Sequence, residues 1–591
     1  MRDRGRLTRR GQLAVLAPAA LAVVGLPAAI RAQDPGFDPV ARLVYAVEYA
    51  RDPQISPNGE WIAYVHRFAD RTEDRWHAEI VLTRSDGSDR ETLTSGPDDR
   101  SPRFSATGDR LAYVSHAGGF WEIRVLSLAT RRRADLAAGS SPIGSMAWAP
   151  VGDRIAFLRH GSDPDTRVHL YVASVSSGRV RQLTSTGFPV AALPLDTRLA
   201  WTPDGAALLF SADPDPRDAP GEASVETPSG GESVRGIPFR IEGDVLEIPS
   251  SGGAVRRLTS WAGPEDDPTA SPDGRRFAFV SAGPARAGRP GRALRVLERS
   301  GGALPRSLLE RGGLDVRRPA WAPDGRQLFA IVEGGGGARL ALIGLDGSDR
   351  TLADGLGGGP TATAGSASFS ISADSANPRF AATAVVDGSP GEILVGSRRR
   401  GDLPRRVTWI NDDLDRGARI AFEQVTVAPD TPAWALSPAD GAGADLPAIL
   451  AIHGGCGSTY TAGFDLELAA FAAAGHVVLA LDPEGSADVV LAAADTLAAR
   501  PGPASRELAL LERGGDGMLA RDALGRSDAF RGAVVHRPPG CRVDAPGPDE
   551  PTVTAPLLIL DAPAHPFDEP PAALVARLRR TLDGLRAGNR D

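Results

Sequence analysis

One four-residue phrase recurs through the first part of the chain and limits what that part can become. It reads Ser56-Pro57-Asn58-Gly59, Ser105-Ala106-Thr107-Gly108, Ala149-Pro150-Val151-Gly152, Thr202-Pro203-Asp204-Gly205, Ser271-Pro272-Asp273-Gly274 and Ala322-Pro323-Asp324-Gly325. A worn seventh copy is Ser372-Ala373-Asp374. Each copy precedes a short apolar strand such as Trp61-Ile62-Ala63-Tyr64-Val65 or Phe277-Ala278-Phe279-Val280. Proline presets φ and Asp-Gly supplies a left-handed position, so each phrase reads as a hairpin turn. A second phrase sits between the turns: Thr92-Leu93-Thr94, Gln182-Leu183-Thr184, Arg257-Leu258-Thr259 and Arg406-Val407-Thr408. Two interleaved signals at a period of roughly 45–70 residues mean repeated four-stranded units. The pattern predicts an all-β, seven-bladed β-propeller over about residues 45–410. Unrelated hairpins in a β-sandwich are the alternative, and seven copies argue against it. Blade four carries a long Asp/Pro/Gly-rich insert, about Asp213 to Gly236, expected to be a loop.

After Thr408 the pattern changes. Leu446–Ile452 is a continuous apolar run, followed by His453-Gly454-Gly455-Cys456. An Ala-rich helix over 466–474, a strand over 477–481 and a helix over 489–499 come next. Then Leu508–Glu512 leads through Gly514-Gly515-Asp516-Gly517 into a helix containing Ala523 and Leu524. Gly532–Val535, Pro556–Leu560 and a last helix from Ala572 complete the series. Strands alternating with helices predict a parallel sheet with helices on both faces, over about 415–591. The strand, glycine turn and helix at 508–524 have the shape of a nucleophile elbow, as in an α/β-hydrolase-like domain. Placed by spacing, the elbow's tip is Gly514, which carries no nucleophile.

Charge and cysteine content narrow the function. The 66 basic residues, all arginine, are interspersed with 74 acidic ones for a net charge of −8, and no basic patch argues for nucleic acid. Two cysteines, Cys456 and Cys541, are too few for a disulfide framework or a cysteine-rich metal site. The nine histidines show no metal-ligand spacing and no glycine loop reads as a phosphate cradle, so no cofactor or metal is expected. Arg2, Arg4, Arg6, Arg9 and Arg10 precede an uncharged run from Gly11 to Ile30, and small residues precede Gln33. Residues 1–32 therefore read as a signal peptide close to the twin-arginine type, placing the mature chain in the periplasm or outside the cell. The alternative is an uncleaved anchor; no second long apolar run exists, so no membrane span is expected in the mature chain. Cys456 and Cys541 are both expected after the C-terminal ends of strands, in an oxidising compartment, which makes a disulfide between them an expectation.

The chain resembles the prolyl oligopeptidase family of serine peptidases, nearest the acylaminoacyl-peptidase and dipeptidyl-peptidase branch. The likeness rests on Asp52-Pro53-Gln54-Ile55-Ser56-Pro57-Asn58-Gly59, on His453-Gly454-Gly455 and on Arg521-Asp522-Ala523-Leu524 through Phe530. It implies a propeller capping a hydrolase, and short peptides cleaved by a Ser-Asp-His triad. The chemistry departs from that pattern. The family elbow reads Gly-Gly-Ser-x-Gly-Gly, and here Glu512, Arg513, Gly514, Gly515, Asp516 and Gly517 stand there. The family acid maps to His565, in Ala562-Pro563-Ala564-His565. The family histidine would lie past Asp591, so this domain reads as C-terminally truncated with its His position absent. The family Arg-Gly-Ser phrase is Glu484-Gly485-Ser486.

No intact triad is therefore expected. Backbone at His453, Gly454, Gly455 and Gly515 could still form an oxyanion or ligand loop. Asp516 and Cys456 are the unconventional nucleophile candidates, each needing a nearby base. Ser486 and Ser527 read as loop and helix-end hydroxyls, and His453 as structural. Three functions stay open: a pseudopeptidase binding short peptides or an extracytoplasmic protein, a peptidase with an unrecognised nucleophile, and a propeller partner in a cell-envelope assembly.

Overall fold

The computed structural model describes residues 38–161, 167–184, 197–212, 243–261, 263–286, 289–301, 304–311, 314–334, 337–361, 367–412, 420–428, 431–439, 446–453, 464–483, 485–500, 503–537, 555–561 and 569–587. The N-terminal segment 1–32, the blade-four insert, Gly454, Gly455, Cys456, Cys541 and His565 lie outside them.

Seven four-stranded meanders follow one another: β1–β4 (residues 49–92), β5–β8 (99–139), β9–β12 (143–182), β13–β16 (200–257), β17–β20 (265–309), β21–β24 (315–353) and β25–β28 (369–406). The fifth and sixth share one parallel bridge, Arg292 to Asp315. First strands of neighbouring blades touch from blade seven through blade one to blade six, whereas the short last strands of blades one, three and four are exposed. The first strands therefore line the central channel.

The recurring turns join the first and second strands of each blade. In five of them the glycine N–H closes the turn on the first residue's carbonyl: Gly59 on Ser56 at 2.8 Å, Gly108 on Ser105 at 2.9 Å, and Gly205, Gly274 and Gly325 on Thr202, Ser271 and Ala322 at 2.8 Å. These glycines have φ between 67° and 75°, where a Cβ is strained. The turns also nest from blade to blade. A Cβ on Gly108 would lie 3.2 Å from Pro57 of the preceding turn, and one on Gly274 3.4 Å from Pro203. Sequence repeats here because these glycines pack on the preceding turn, Gly152 of the third turn excepted.

The second phrase has a separate task. The hydroxyls of Thr94, Thr184, Thr259 and Thr408 accept the backbone N–H of Ile80, Leu170, Val245 and Ile393 at 3.0 Å or less. Each threonine extends the ladder between third and fourth strands by one bond, where a buried N–H would otherwise lack an acceptor.

Each blade is one contiguous stretch, so the ring closes without a shared strand, through one backbone bond from Ala373 N to Pro57 O at 2.9 Å and several side chains. Ser370 Oγ accepts Ile55 N at 2.7 Å, Arg379 Nη1 donates to Gly59 O and Ser85 Oγ, and Asn411 exchanges hydrogen bonds with the Glu48 backbone.

The second half is one seven-stranded sheet, ordered β29 (Ile420–Ala428), β30 (Thr431–Pro438), β32 (Val477–Leu481), β31 (Leu446–His453), β33 (Pro503–Arg513), β34 (Phe530–Arg537) and β35 (Leu557–Asp561). The five strands from β32 to β35 are parallel. The expectation of a parallel sheet needs a correction: β29 and β30 form an antiparallel hairpin, and β30 pairs antiparallel with β32. Edge strands need no crossover helix, and the half-exposed β29 lacks the apolar run that marked the central strands.

Helices α3 (Ala487–Ala498) and α4 (Met518–Arg526) cover one face; α2 (Leu466–Ala473) and α5 (Pro571–Ala587) cover the other. A helix unread from sequence, α1 (Pro39–Ala46), precedes the propeller but buries Val40, Leu43 and Val44 in the α2/α5 core. The first blade's hairpin follows it there. Trp76 Nε1 donates to Glu569 O, and Asp74 Oδ1 accepts Ala572 N at 2.8 Å in the first turn of α5.

Candidate active site at the strand-to-helix elbow

The elbow is present in the backbone. Strand β33 ends at Arg513; Gly514 follows with φ 67°, and its N–H donates to His536 O at 3.0 Å on the neighbouring strand. Gly517, at φ 88°, leads into α4. A Cβ on Gly517 would stand 3.3 Å from Val535 Cγ2, so the helix approaches the sheet closely. The left-handed residue directly after the strand is where a strained nucleophile would sit. Gly514 occupies it and offers no side chain.

Two charged residues replace the small ones expected before the tip. Glu512 is fully buried beneath α4, with Oε1 accepting Gly517 N at 3.0 Å and Oε2 accepting Ala520 N at 2.8 Å. Burial raises its pKa to about 7, although both amide bonds pull the other way. The side chain thus caps the helix from inside the sheet. Arg513 turns to the opposite face, where Nη1 donates to Asp465 Oδ2 at 2.8 Å and Nε lies 2.9 Å from Glu467 Oε2.

The other sequence candidates separate. Asp516 Oδ1 accepts Met518 N at 3.0 Å and so serves the start of α4. Gly515 is buried beside the half-buried Gly514. His453 ends β31 opposite Arg513, 7% exposed. Ser486 caps α3 through Val489 N, and Ser527 follows α4 and accepts Ala529 N. Gly454, Gly455, Cys456 and His565 lie outside the described residues, as does the Cys456–Cys541 pair. Among the described residues no cluster of His, Cys, Asp and Glu has the makings of a metal site.

Sequence reasoning missed a buried ionic network beside the elbow. Glu467, on α2, has His536 Nδ1 2.9 Å from Oε1, off the line of a hydrogen bond, and accepts Arg577 Nη1 at 3.0 Å. Arg577 also holds Glu569 at 2.8 Å. Burial alone would raise the Glu467 pKa, but His536, Arg513 and Arg577 together hold it well below the ordinary carboxyl range. His536 Nε2 meets Thr581 Oγ1 at 2.8 Å, so Thr581, His536 and Glu467 lie in the order of a catalytic triad. They do not form one. Thr581 is 0% exposed and its hydroxyl donates to Arg577 O, leaving no space for a reacting carbonyl. The available signal was Glu467 itself, the single charge in the otherwise apolar Leu466–Ala473.

Comparisons with known proteins agree with this architecture. Residues 62–218 match the TolB beta propeller domain family. The Bacillus subtilis protein described as uncharacterized peptidase YuxL is 25% identical over 204 residues, a match covering 30% of this chain and 28% of that protein. Among solved structures, Pyrococcus horikoshii acylaminoacyl peptidase superposes with a TM-score of 0.61 at 16% identity, covering 83% of this chain and 78% of the other. A Mycobacterium tuberculosis puromycin-hydrolyzing peptidase gives 0.56 at 15% identity over 84% and 78%. Prolyl oligopeptidase B from Galerina marginata gives 0.57 at 12% over 84% and 74%. The chain resembles the prolyl oligopeptidase family and has its fold: a β-propeller followed by an α/β-hydrolase domain.

Proposed function

We propose that this chain is an exported pseudopeptidase that binds peptides without cleaving them. The observation that carries the reading is Gly514 at the left-handed tip of the elbow, flanked by Glu512 and Arg513. Acyl transfer needs a nucleophile, a base that takes its proton and a group that orients the base, all within hydrogen-bond reach. Gly514 supplies no atom for attack. Of the two histidines opposite Arg513 on adjoining strands, His536 turns its ring away into the Glu467 network and His453 is buried at the end of β31. Solved structures of the same fold bear the names of peptidases, which supports peptides as the ligand class. The basic, apolar N-terminal segment supports export.

The test is exposure of purified full-length protein to a fluorophosphonate probe and to chromogenic aminoacyl and dipeptidyl substrates. No labelling and no turnover above background is expected. Hydrolysis that survives purification and disappears in Asp516→Asn or Cys456→Ala would replace this reading with that of a peptidase using an unconventional nucleophile.

A further inference from the structure

The propeller's channel holds a group of arginines whose positions the fold alone does not require. The first strands of blades one, two, five and six each carry a bulge: the register breaks after Arg51, Arg100, Asp266 and Arg317. At each break one non-glycine residue is left-handed: Asp52 (φ 46°), Ser101 (55°), Asp267 (54°) and Arg318 (52°). These strands are the innermost ones, so polar side chains at the bulges face the channel.

The side chains then meet across it. Arg103 of blade two donates to Asp52 of blade one at 2.7 Å. Arg198, just ahead of blade four's first strand, passes blade five and donates to Pro319 O of blade six at 2.6 Å. Asp267 accepts Arg318 N at 2.8 Å, so its carboxylate is committed to backbone. Asp266 is engaged as well. On the same strand Arg317 is taken up by Asp315 and Glu333. The Arg318 side chain is exposed, and among the described residues no carboxylate holds its guanidinium. Its charge reaches Arg51 of blade one and Arg198 ahead of blade four, neither in a blade next to its own, which points it toward the channel. Its neighbours include like as well as opposite charge. Burial lowers the Arg198 pKa; Asp267 opposes the shift, and Arg318 and Arg103 add to it. Arg51 is lowered by burial too, with Asp52 opposing and Arg318 adding.

We propose that this collar binds an acidic peptide, with one of its carboxylates seated between Arg318 and Arg198 on the propeller axis. Guanidinium is planar, always charged, and presents paired N–H donors that match a carboxylate. An extended chain lying along the channel is the ligand shape that a ring of first strands admits. The proposal rests on the peptide-binding reading above and adds the charge of the peptide to it.

The test uses full-length protein and fluorescence anisotropy with three probes: a fluorescein-labelled Glu-rich octapeptide, the same peptide with Gln for Glu, and inorganic phosphate as competitor. The Glu peptide should bind at least about tenfold more tightly than the Gln peptide, and its affinity should fall steeply with salt. Arg318→Asn removes the guanidinium while keeping a residue that tolerates the left-handed conformation. It should remove that preference and leave the melting temperature in place. Arg198→Gln should reduce the preference as well. Equal binding of both peptides, unchanged in R318N, overturns the collar and leaves the peptide-binding reading standing. Binding of neither peptide overturns both. Phosphate displacing the Glu peptide at its own dissociation constant would mean an anion site and not a peptide site, and would also overturn the proposal.

Discussion

The propeller turns and the hydrolase elbow pose the same local problem: a strand must reverse or redirect through a left-handed residue. They keep their sequences to different degrees. A propeller turn has a neighbour on each side, and Gly108 lies where a Cβ would come within 3.2 Å of Pro57 of the turn before it. Both the proline and the glycine are held by packing, so the phrase recurs. The elbow keeps only what the backbone needs: Gly514 at φ 67°, Gly517 at φ 88° and the bond from Gly514 N to His536 O. Side chains at its tip serve chemistry rather than packing. Here Glu512 and Arg513 precede the tip and act as struts, one to α4 and one to α2.

The sharpest way to break this comparison is to unsettle Glu467, on which the Arg513 strut rests. Arg577→Met leaves Glu467 with a missing partner in a fully buried site, and about 3–5 kcal/mol of stability should be lost, measured by urea unfolding followed at the hydrolase domain. Chain folding with wild-type stability would mean that the network does not hold this face together.

A pH series on Glu512→Gln comes next. Glu512 has a folded pKa of about 7, above its ordinary value, so the folded state keeps a proton that the unfolded chain releases. Its contribution is complete below about pH 4.5 and is lost as pH rises to about 7, on the order of 3 kcal/mol in total. Glu333, raised to about 7, and Glu265, raised to about 8, slope the same way in the propeller. Glu467 has the opposite sign, and its stabilisation disappears only in acid, below the ordinary carboxyl range. E512Q should therefore flatten stability against pH between about 4.5 and 7 without affecting the propeller's share. An unchanged slope would show that Glu512 is ionised throughout.

Smaller effects test the other side. Gly108→Ala forces a Cβ into a left-handed turn and against Pro57, and should cost on the order of 1–2 kcal/mol, read as a lower urea midpoint for the propeller. The smallest expected change is the most diagnostic: Gly514→Ser should leave peptidase turnover at background. Among the described residues His536, on the adjoining strand, offers that hydroxyl no base, because its ring lies against Thr581 and Glu467. Turnover appearing in G514S would mean that an acid–base pair survives near the tip.

The propeller was legible because its turns repeat and because glycine and proline encode backbone angles directly. The threonine phrase was visible too, but its task needed the observed bond from Leu170 N to Thr184 Oγ1, across 14 residues. The elbow's shape was readable from apolar strand, glycines and helix. Helix α1 was not read, since its partners Leu466 and Leu578 belong to the far half of the chain. The Glu467 network escaped for the same reason: Arg577 stands 110 residues from it and has no periodic relation to it. The edge strand β29 was missed because a half-exposed strand lacks a continuous apolar signal, and β30 offers only the short run Ala433–Leu436 between prolines.

The bond from Asp74 to the first turn of α5 joins residues 498 positions apart. A ribosome adding about 5–20 residues per second needs roughly 25–100 s to make that length of chain. For that interval the first blade's hairpin has been made and its docking helix has not, so Trp76 and the apolar face of α1 lack the cover that α5 gives them. Any cell making this protein must keep that face from other chains until the final helix arrives. The order of synthesis places the longest wait on the surface that joins the two halves.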